Sequence, residues 1–287
     1  MHEEPVTRTR GDLCPGALRP WAASDGALVR LRLAGGRLTS ESLAALSEVA
    51  TSHGDGNIHL TRRANVQLRG LPSQDGALPE FVIEAIEGTG LLPSRSHELV
   101  RNFLASPMTG LAGGRCDLRP VVAALDSLVC AHPDLRELPG RFLFVMDDGR
   151  GDLVDRPTDL GLVALDETTV QLRIGSDGWG SVLSLRDASQ ALVDLAVELM
   201  RMRGDGPSAP WHVDELPEPL ADPEPRDERT RVTSPALPYG VNGPVVHVPV
   251  PNGVISPELA ADLVMHGPEL VVTPWHGVLV EGKGGLR

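Results

Sequence analysis

The sequence predicts an α+β protein in which a β-α-β-β unit occurs twice, with an α/β segment between the copies. Three observations carry that expectation. Short runs that alternate apolar and polar residues are interleaved with capped stretches of helical period. The early segment "ALVRLRLAGGRLTSESLAALSEVATSHGDGNIHLTRRANVQLRGL" and the late segment "PVVHVPVPNGVISPELAADLVMHGPELVVTPWHGVLVEGK" share one order: strand, glycine-containing turn, Ser/Thr-capped helix, glycine, strand, polar turn, strand. Both place an apolar residue and a threonine before the polar turn, Leu60-Thr61 and Val272-Thr273. Duplicated halves commonly pair about a pseudo-two-fold axis, with room for a ligand between them.

Taken in order, "GALVRLRLAG" alternates as a strand does. "LTSESLAALSEVATSHG" reads as a helix, with Thr39 or Ser40 as its cap, Leu43, Leu46 and Val49 or Ala50 on its apolar face, and Gly54 at its end. "NIHLT" and "NVQLRGL" read as two short strands around "RRA", and "LPEFVIEAIEGTG" as a second helix. The middle carries a helix at "DLRPVVAALDSLVCAH", a strand ending in a turn at "GRFLFVMDDG", a hairpin at "LGLVALDETTVQLRIG" and a long amphipathic helix at "LRDASQALVDLAVELMRM". From Gly204 to Tyr239 the composition turns abruptly to Pro, Asp, Glu and Arg, as in a linker or an extended wrapping arm. The boundaries predicted from this pass are 1–92 for the first unit, 93–203 for the middle, 204–240 for the linker and 241–287 for the second unit.

A chain of 287 residues can bury a substantial core. No run approaches the length of a membrane span, and the polar start "MHEEPVTRTRGDLCPG" lacks the apolar core of a signal peptide, so a cytoplasmic protein without membrane contact is expected. A formal net charge of -13 argues against general affinity for nucleic acid. Against that background "LTRRANVQLRG" stands out as basic. Lys283 is the single lysine, so nearly every cation is a planar guanidinium able to bind a carboxylate through two hydrogen bonds, although a GC-rich genome also produces an arginine excess. The arginines of this stretch suit either a charged edge strand or a cradle for an anion. Arg63, Asn65, Gln67 and Arg69 alternate, so on an extended chain they share one face. Cys14, Cys116 and Cys130 are scattered, and neither they nor the histidines show metal-ligand spacing; Asp147 and Asp148 read as part of a turn.

The run from "CPGALRPW" to "NVQLRGL" resembles the first ferredoxin-like half-domain of the nitrite/sulfite reductase superfamily. "RNFLASPMTG", "LPGRFLFVMDDG" and "VVTPWHGVLV" resemble its precorrin-3B synthase branch, in the right order over most of the chain. The resemblance implies duplicated ferredoxin-like half-domains with an intervening α/β domain, and an anionic tetrapyrrole held by cations. The pattern T-x-R-x-x-x-Q-x-[HR]-G carries over onto Thr61, Arg63, Gln67, Arg69 and Gly70; "RN" onto Arg101 and Asn102; and the first basic position of "LP-x-[KR]-F" onto Arg141. Arg63, Asn65, Gln67, Arg69, Arg101, Asn102 and Arg141 are therefore the expected tetrapyrrole-binding residues, with no catalytic residue and no metal ligand assigned.

What the family does implies hydroxylation and lactone formation on precorrin-3A in cobalamin biosynthesis. The alternatives are a fragment of a sirohaem-dependent nitrite or sulfite reductase, and a non-catalytic tetrapyrrole-binding protein. Leu143, where the reductases have a second lysine, counts against the reductase. Family members carry a 4Fe-4S cluster on C-x5-C and C-x3-C motifs, and the reductases also carry sirohaem. Three scattered cysteines do not supply the four thiolates such a cluster usually takes. A chain without its usual C-terminal cluster domain, and a partner chain that supplies that domain, are the corresponding expectations.

Overall fold

The computed structural model describes residues 12–206 and 208–282; the polar N-terminal stretch 1–11 and Lys283 lie outside the described residues. The first unit comprises β1 (Trp21–Ala23), β2 (Gly26–Leu31), β3 (Arg37–Thr39), α1 (Ser40–His53), β4 (Ile58–Leu60), β5 (Val66–Leu71) and α2 (Glu80–Gly88). In the middle are β6 (Phe103–Ala105), α3 (Arg119–Ala131), β7 (Phe144–Asp147), β8 (Leu160–Ala164), β9 (Thr169–Ile174), β10 (Gly178–Ser184) and α4 (Ala188–Arg203). The second unit has β11 (Gly240–Asn242), β12 (Val245–Pro249), β13 (Val254–Ile255), α5 (Pro257–Leu263), β14 (Glu269–Thr273) and β15 (Gly277–Glu281).

The local signals act as expected. Thr39 caps α1, its side chain accepting from the Ser42 N–H, and Ser256 caps α5 in the same way through Leu259 N–H. Along β2, Ala27, Val29 and Leu31 face inward and meet Leu43, Leu46 and Ala50 of α1 in one apolar core. Each fully buried leucine of this kind contributes about 1.5–3 kcal/mol over an exposed one.

The duplication is visible as topology. One antiparallel sheet has the order β1-β2-β5-β4-β13, and another the order β11-β12-β15-β14-β3. Each unit lends its short third strand to the other's sheet: β3 pairs with β14 (Leu38 opposite Leu270) and β13 with β4 (Ile255 opposite Ile58). The turns before β5 and β15 are also copies. Asn65 N–H donates to Thr61 Oγ1 at 3.1 Å and Gly277 N–H to Thr273 Oγ1 at 3.2 Å, with Ala64 and His276 both at positive φ, 54° and 58°. One core runs through both units, joining Leu46, Ile58 and Leu68 to Ile255, Leu263, Leu270 and Val278.

The middle sheet, β10-β9-β8-β7-β6, is parallel across β6, β7 and β8 and antiparallel beyond. α3 and α4 cover it, and Phe103, Phe142 and Phe144 fill a second core. The segment after α4 has little regular structure and lies along this sheet. Gln171 holds it by donating to Pro225 O at 2.8 Å and accepting from Asp227 N–H at 2.9 Å, while Glu224 N–H donates to Trp179 O. Among the described residues no helix is long and apolar enough to cross a membrane.

Candidate functional site

Because β6, β7 and β8 run parallel, the residues preceding each of them meet at one edge of the middle sheet. Arg101 and Asn102 precede β6, Arg141 precedes β7, and Asp159 precedes β8. The polar turn before β5 reaches this edge from the first unit. Arg63 Nη1 donates to the carbonyl of Arg141 at 2.7 Å, and Asn65 Nδ2 to Asn102 Oδ1 at 3.3 Å. Burial lowers the Arg63 pKa; the neighbouring guanidiniums of Arg30 and Arg141 act in the same direction, and the carboxylate of Asp159 opposes them. Burial raises the Asp159 carboxyl pKa, and nearby His212 opposes that rise; the carboxylate accepts from Leu143 N–H and Val213 N–H.

The seven residues expected at the site divide by location. Arg63 and Arg141 stand together at the sheet edge, and the Arg141 guanidinium makes no hydrogen bond or ion pair with another described residue. Gln67 lies on β5 directly opposite Arg30 on β2; with its amide oxygen turned toward Arg30 it accepts from Nε at 3.2 Å and Nη2 at 2.9 Å. Arg69 lies at the far end of β5, half-exposed, and pairs with Asp25 at 3.1 Å.

The expectation of a single face for Arg63, Asn65, Gln67 and Arg69 needs correction. β5 begins only at Val66, and the left-handed Ala64 turns the chain, so the Asn65 side chain enters the interior and accepts from Leu33 N–H at 2.9 Å. Arg101 is likewise committed inside the protein. It forks onto Asp126 at 2.6 and 2.7 Å and donates to Arg32 O. Asn102, fully buried, donates to Gly140 O at 2.9 Å. These three residues join the first unit to the middle sheet.

Two arginines not expected from the sequence complete the cluster. Arg30 lies beside Arg63, and Arg32 is 2% exposed with its guanidinium on the carbonyls of Pro15, Arg30 and Gly140. Burial brings the Arg32 pKa down to about 10. The signal was present: in Val29-Arg30-Leu31-Arg32-Leu33 the arginines alternate with core residues, which places both opposite the helices. Cys14 adjoins this cluster, and burial pushes its thiol pKa up. Burial also raises Cys130 and carries Cys116 to about 12, so these thiols resist the ionisation that ligation requires. Among the described residues no group of three or more His, Cys, Asp or Glu side chains is placed to hold a metal ion, and the three free cysteines do not fit a 4Fe-4S cluster. Asp147 and Asp148 serve their own turn: Asp147 accepts from the N–H groups of Gly149, Gly151 and Leu153, and Asp148 pairs with Arg150.

Two antiparallel sheets that exchange a strand, flanking a mixed α/β layer with an arginine-lined edge, define a class of duplicated ferredoxin-like proteins. The family model described as nitrite/sulfite reductase ferredoxin-like half domain matches residues 22–77, and the chain resembles that ferredoxin-like superfamily in sequence and in fold. Over 134 residues it is 36% identical to the ferredoxin-nitrite reductase of Synechococcus elongatus, covering 44% of this chain and 26% of that protein. Over 66 residues it is 41% identical to a precorrin-3B synthase of a Sinorhizobium species, covering 23% of this chain and 14% of that protein. The structure of the Mycobacterium tuberculosis NirA protein superposes with a TM-score of 0.66 at 16% identity, over 88% of this chain and 53% of that one, and so shares the fold. The chain thus spans about half of that solved protein, and its matches cover about a quarter or less of the curated relatives.

Proposed function

We propose that this chain binds an anionic tetrapyrrole between the first unit and the edge of the middle sheet, as a precorrin-3B synthase-like oxidoreductase of cobalamin biosynthesis would. The observation that carries the reading is the meeting of Arg63 and Arg30 from one unit with Arg141 from another, the last without a carboxylate partner among the described residues. A tetrapyrrole with acetate and propionate side chains presents carboxylates around a rigid rim. Guanidiniums held on separate rigid elements match such a rim, each able to accept a carboxylate in bidentate fashion. The similarity to a precorrin-3B synthase supports this substrate class. Hydroxylation and lactone formation on precorrin-3A further require a redox centre, which on this reading comes from outside the described residues. Those residues contribute binding and orientation.

Absorbance titration with uroporphyrin tests the site. Arg63→Ala and Arg141→Ala each weaken binding by about 1–3 kcal/mol, the range for hydrogen bonds to charged groups. Arg69→Ala, which breaks an exposed pair worth at most about 1 kcal/mol and remote from Arg141, leaves affinity unchanged. Wild-type affinity in Arg63→Ala and Arg141→Ala would overturn the assignment. A second reading, a sirohaem-dependent nitrite reductase fragment, is favoured by the nitrite reductase similarity. Leu143, 7% exposed and packed in the apolar core, stands where that chemistry has a lysine. Nitrite turnover by the sirohaem-loaded protein with reduced viologen would favour the second reading over the first.

A further inference from the structure

Farther along the same sheet edge, where β9 turns into β10, a cavity of about 290 Å³ is lined by Arg156, Arg173, Arg226, Trp179, Asp155 and Asp177, among others. Its geometry is built rather than incidental. Arg173 and Trp179 sit opposite each other across the β9-β10 ladder, and the register shift after Trp179 re-aims the strand locally. The arm after α4 is pinned here through Gln171 and Trp179 O, which places the Arg226 guanidinium 4.7 Å from the centre of the indole ring, with that of Arg173 at 5.8 Å.

Arg173 is 4% exposed, and its Nη2 donates to the carbonyls of Arg156 and Ser176, yet its Nη1 is buried without a partner. Arg156 makes no side-chain hydrogen bond or ion pair with another described residue. Three guanidiniums against Asp155 and Asp177 leave the lining with an excess of one positive charge. A buried guanidinium donor without a partner is costly, and an anion in the adjoining cavity would satisfy it.

We propose that this pocket binds a carboxylate-bearing anion, with Arg173 and Arg156 as donors and the Arg226–Trp179 stack as its wall. The carboxylate has two sources, a free small dicarboxylate or a peripheral side chain of the tetrapyrrole bound next door. The second rests on the function proposed above; the first does not. Isothermal calorimetry with succinate tests the pocket directly. Saturable binding is expected in the wild-type protein, weakened about tenfold or more in Arg156→Ala and in Arg173→Gln and unaltered in Arg63→Ala. Because Arg173 is buried, thermal unfolding accompanies its variant, and the half-exposed Arg156 and Arg226→Ala carry the test if Arg173→Gln does not fold. No saturable heat below about 10 mM succinate in wild type, or equal affinity in Arg156→Ala and Arg226→Ala, would overturn the pocket. Repeating the titration with uroporphyrin bound separates the sources. Competition identifies a tetrapyrrole side chain, and simultaneous binding identifies a free anion. Loss of the Arg63 effect on uroporphyrin with succinate binding intact would sink the tetrapyrrole reading alone.

Discussion

The arginines at the sheet edge differ in accessibility: Arg101 is buried, Arg63 half-buried and Arg141 exposed. Arg101 is buried and forks onto Asp126, so its removal leaves a half-buried carboxylate without its counter-ion. Arg101→Ala is therefore expected to cost about 3–5 kcal/mol of stability in a denaturant melt. A melt like that of wild type would show the pair to be dispensable. Asp152 makes a complementary pH prediction. Burial, with Asp147 close by, raises its carboxyl pKa from 3.8 to about 7, and it accepts from Ser106. A carboxyl that holds its proton more tightly when folded stabilises the protein below its unfolded pKa, and that contribution is lost as pH rises through the folded pKa. Stability should fall from about pH 4 to about pH 7 through this group, and Asp152→Asn, which still accepts from Ser106, should flatten that slope. An unchanged slope in the variant refutes the assignment. The sequence displayed Arg63 and Arg141 as cations but held no sign that Asn65 turns inward, because the cause is one left-handed residue, Ala64.

At the level of elements, strand period, caps and turn glycines were enough to place the helices and most strands. β1, β6, β10 and β11 escaped, and so did β3 and β13, which are only three and two residues long and pair with the opposite unit. What puts β3 in place is the turn before it. Gly36 has φ 75°, and an added Cβ would collide with the carbonyl of Val272 at the end of β14. Gly36→Ala combines a disfavoured backbone with a backbone clash, so it should destabilise by roughly 2 kcal/mol or more. Gly56→Ala is the control, since its φ is also positive but no atom lies within 4 Å of the added Cβ. Equal melting temperatures for the two variants would show that the strand exchange does not depend on this close approach.

For the whole molecule, the exchange of β3 and β13 makes the two units one folding entity although most of the chain separates them. A fragment of residues 1–92 keeps β3 but loses β14, its ladder partner, and leaves the shared core open. It is expected to show no cooperative thermal transition by circular dichroism, and co-expression with residues 204–287 to improve its folding. A fragment that melts cooperatively by itself would show the first unit to be independent. The α+β class, the duplication and the basic turn of "LTRRANVQLRG" follow from the sequence alone, because period, caps and charge are local properties of the chain. Which arginines gather at the sheet edge and which are buried in ion pairs was decided only by the tertiary structure. So was the pocket at Arg173. Strand exchange and the parallel strand starts bring together residues far apart in sequence, and a guanidinium's role depends on whether a carboxylate or open space lies next to it.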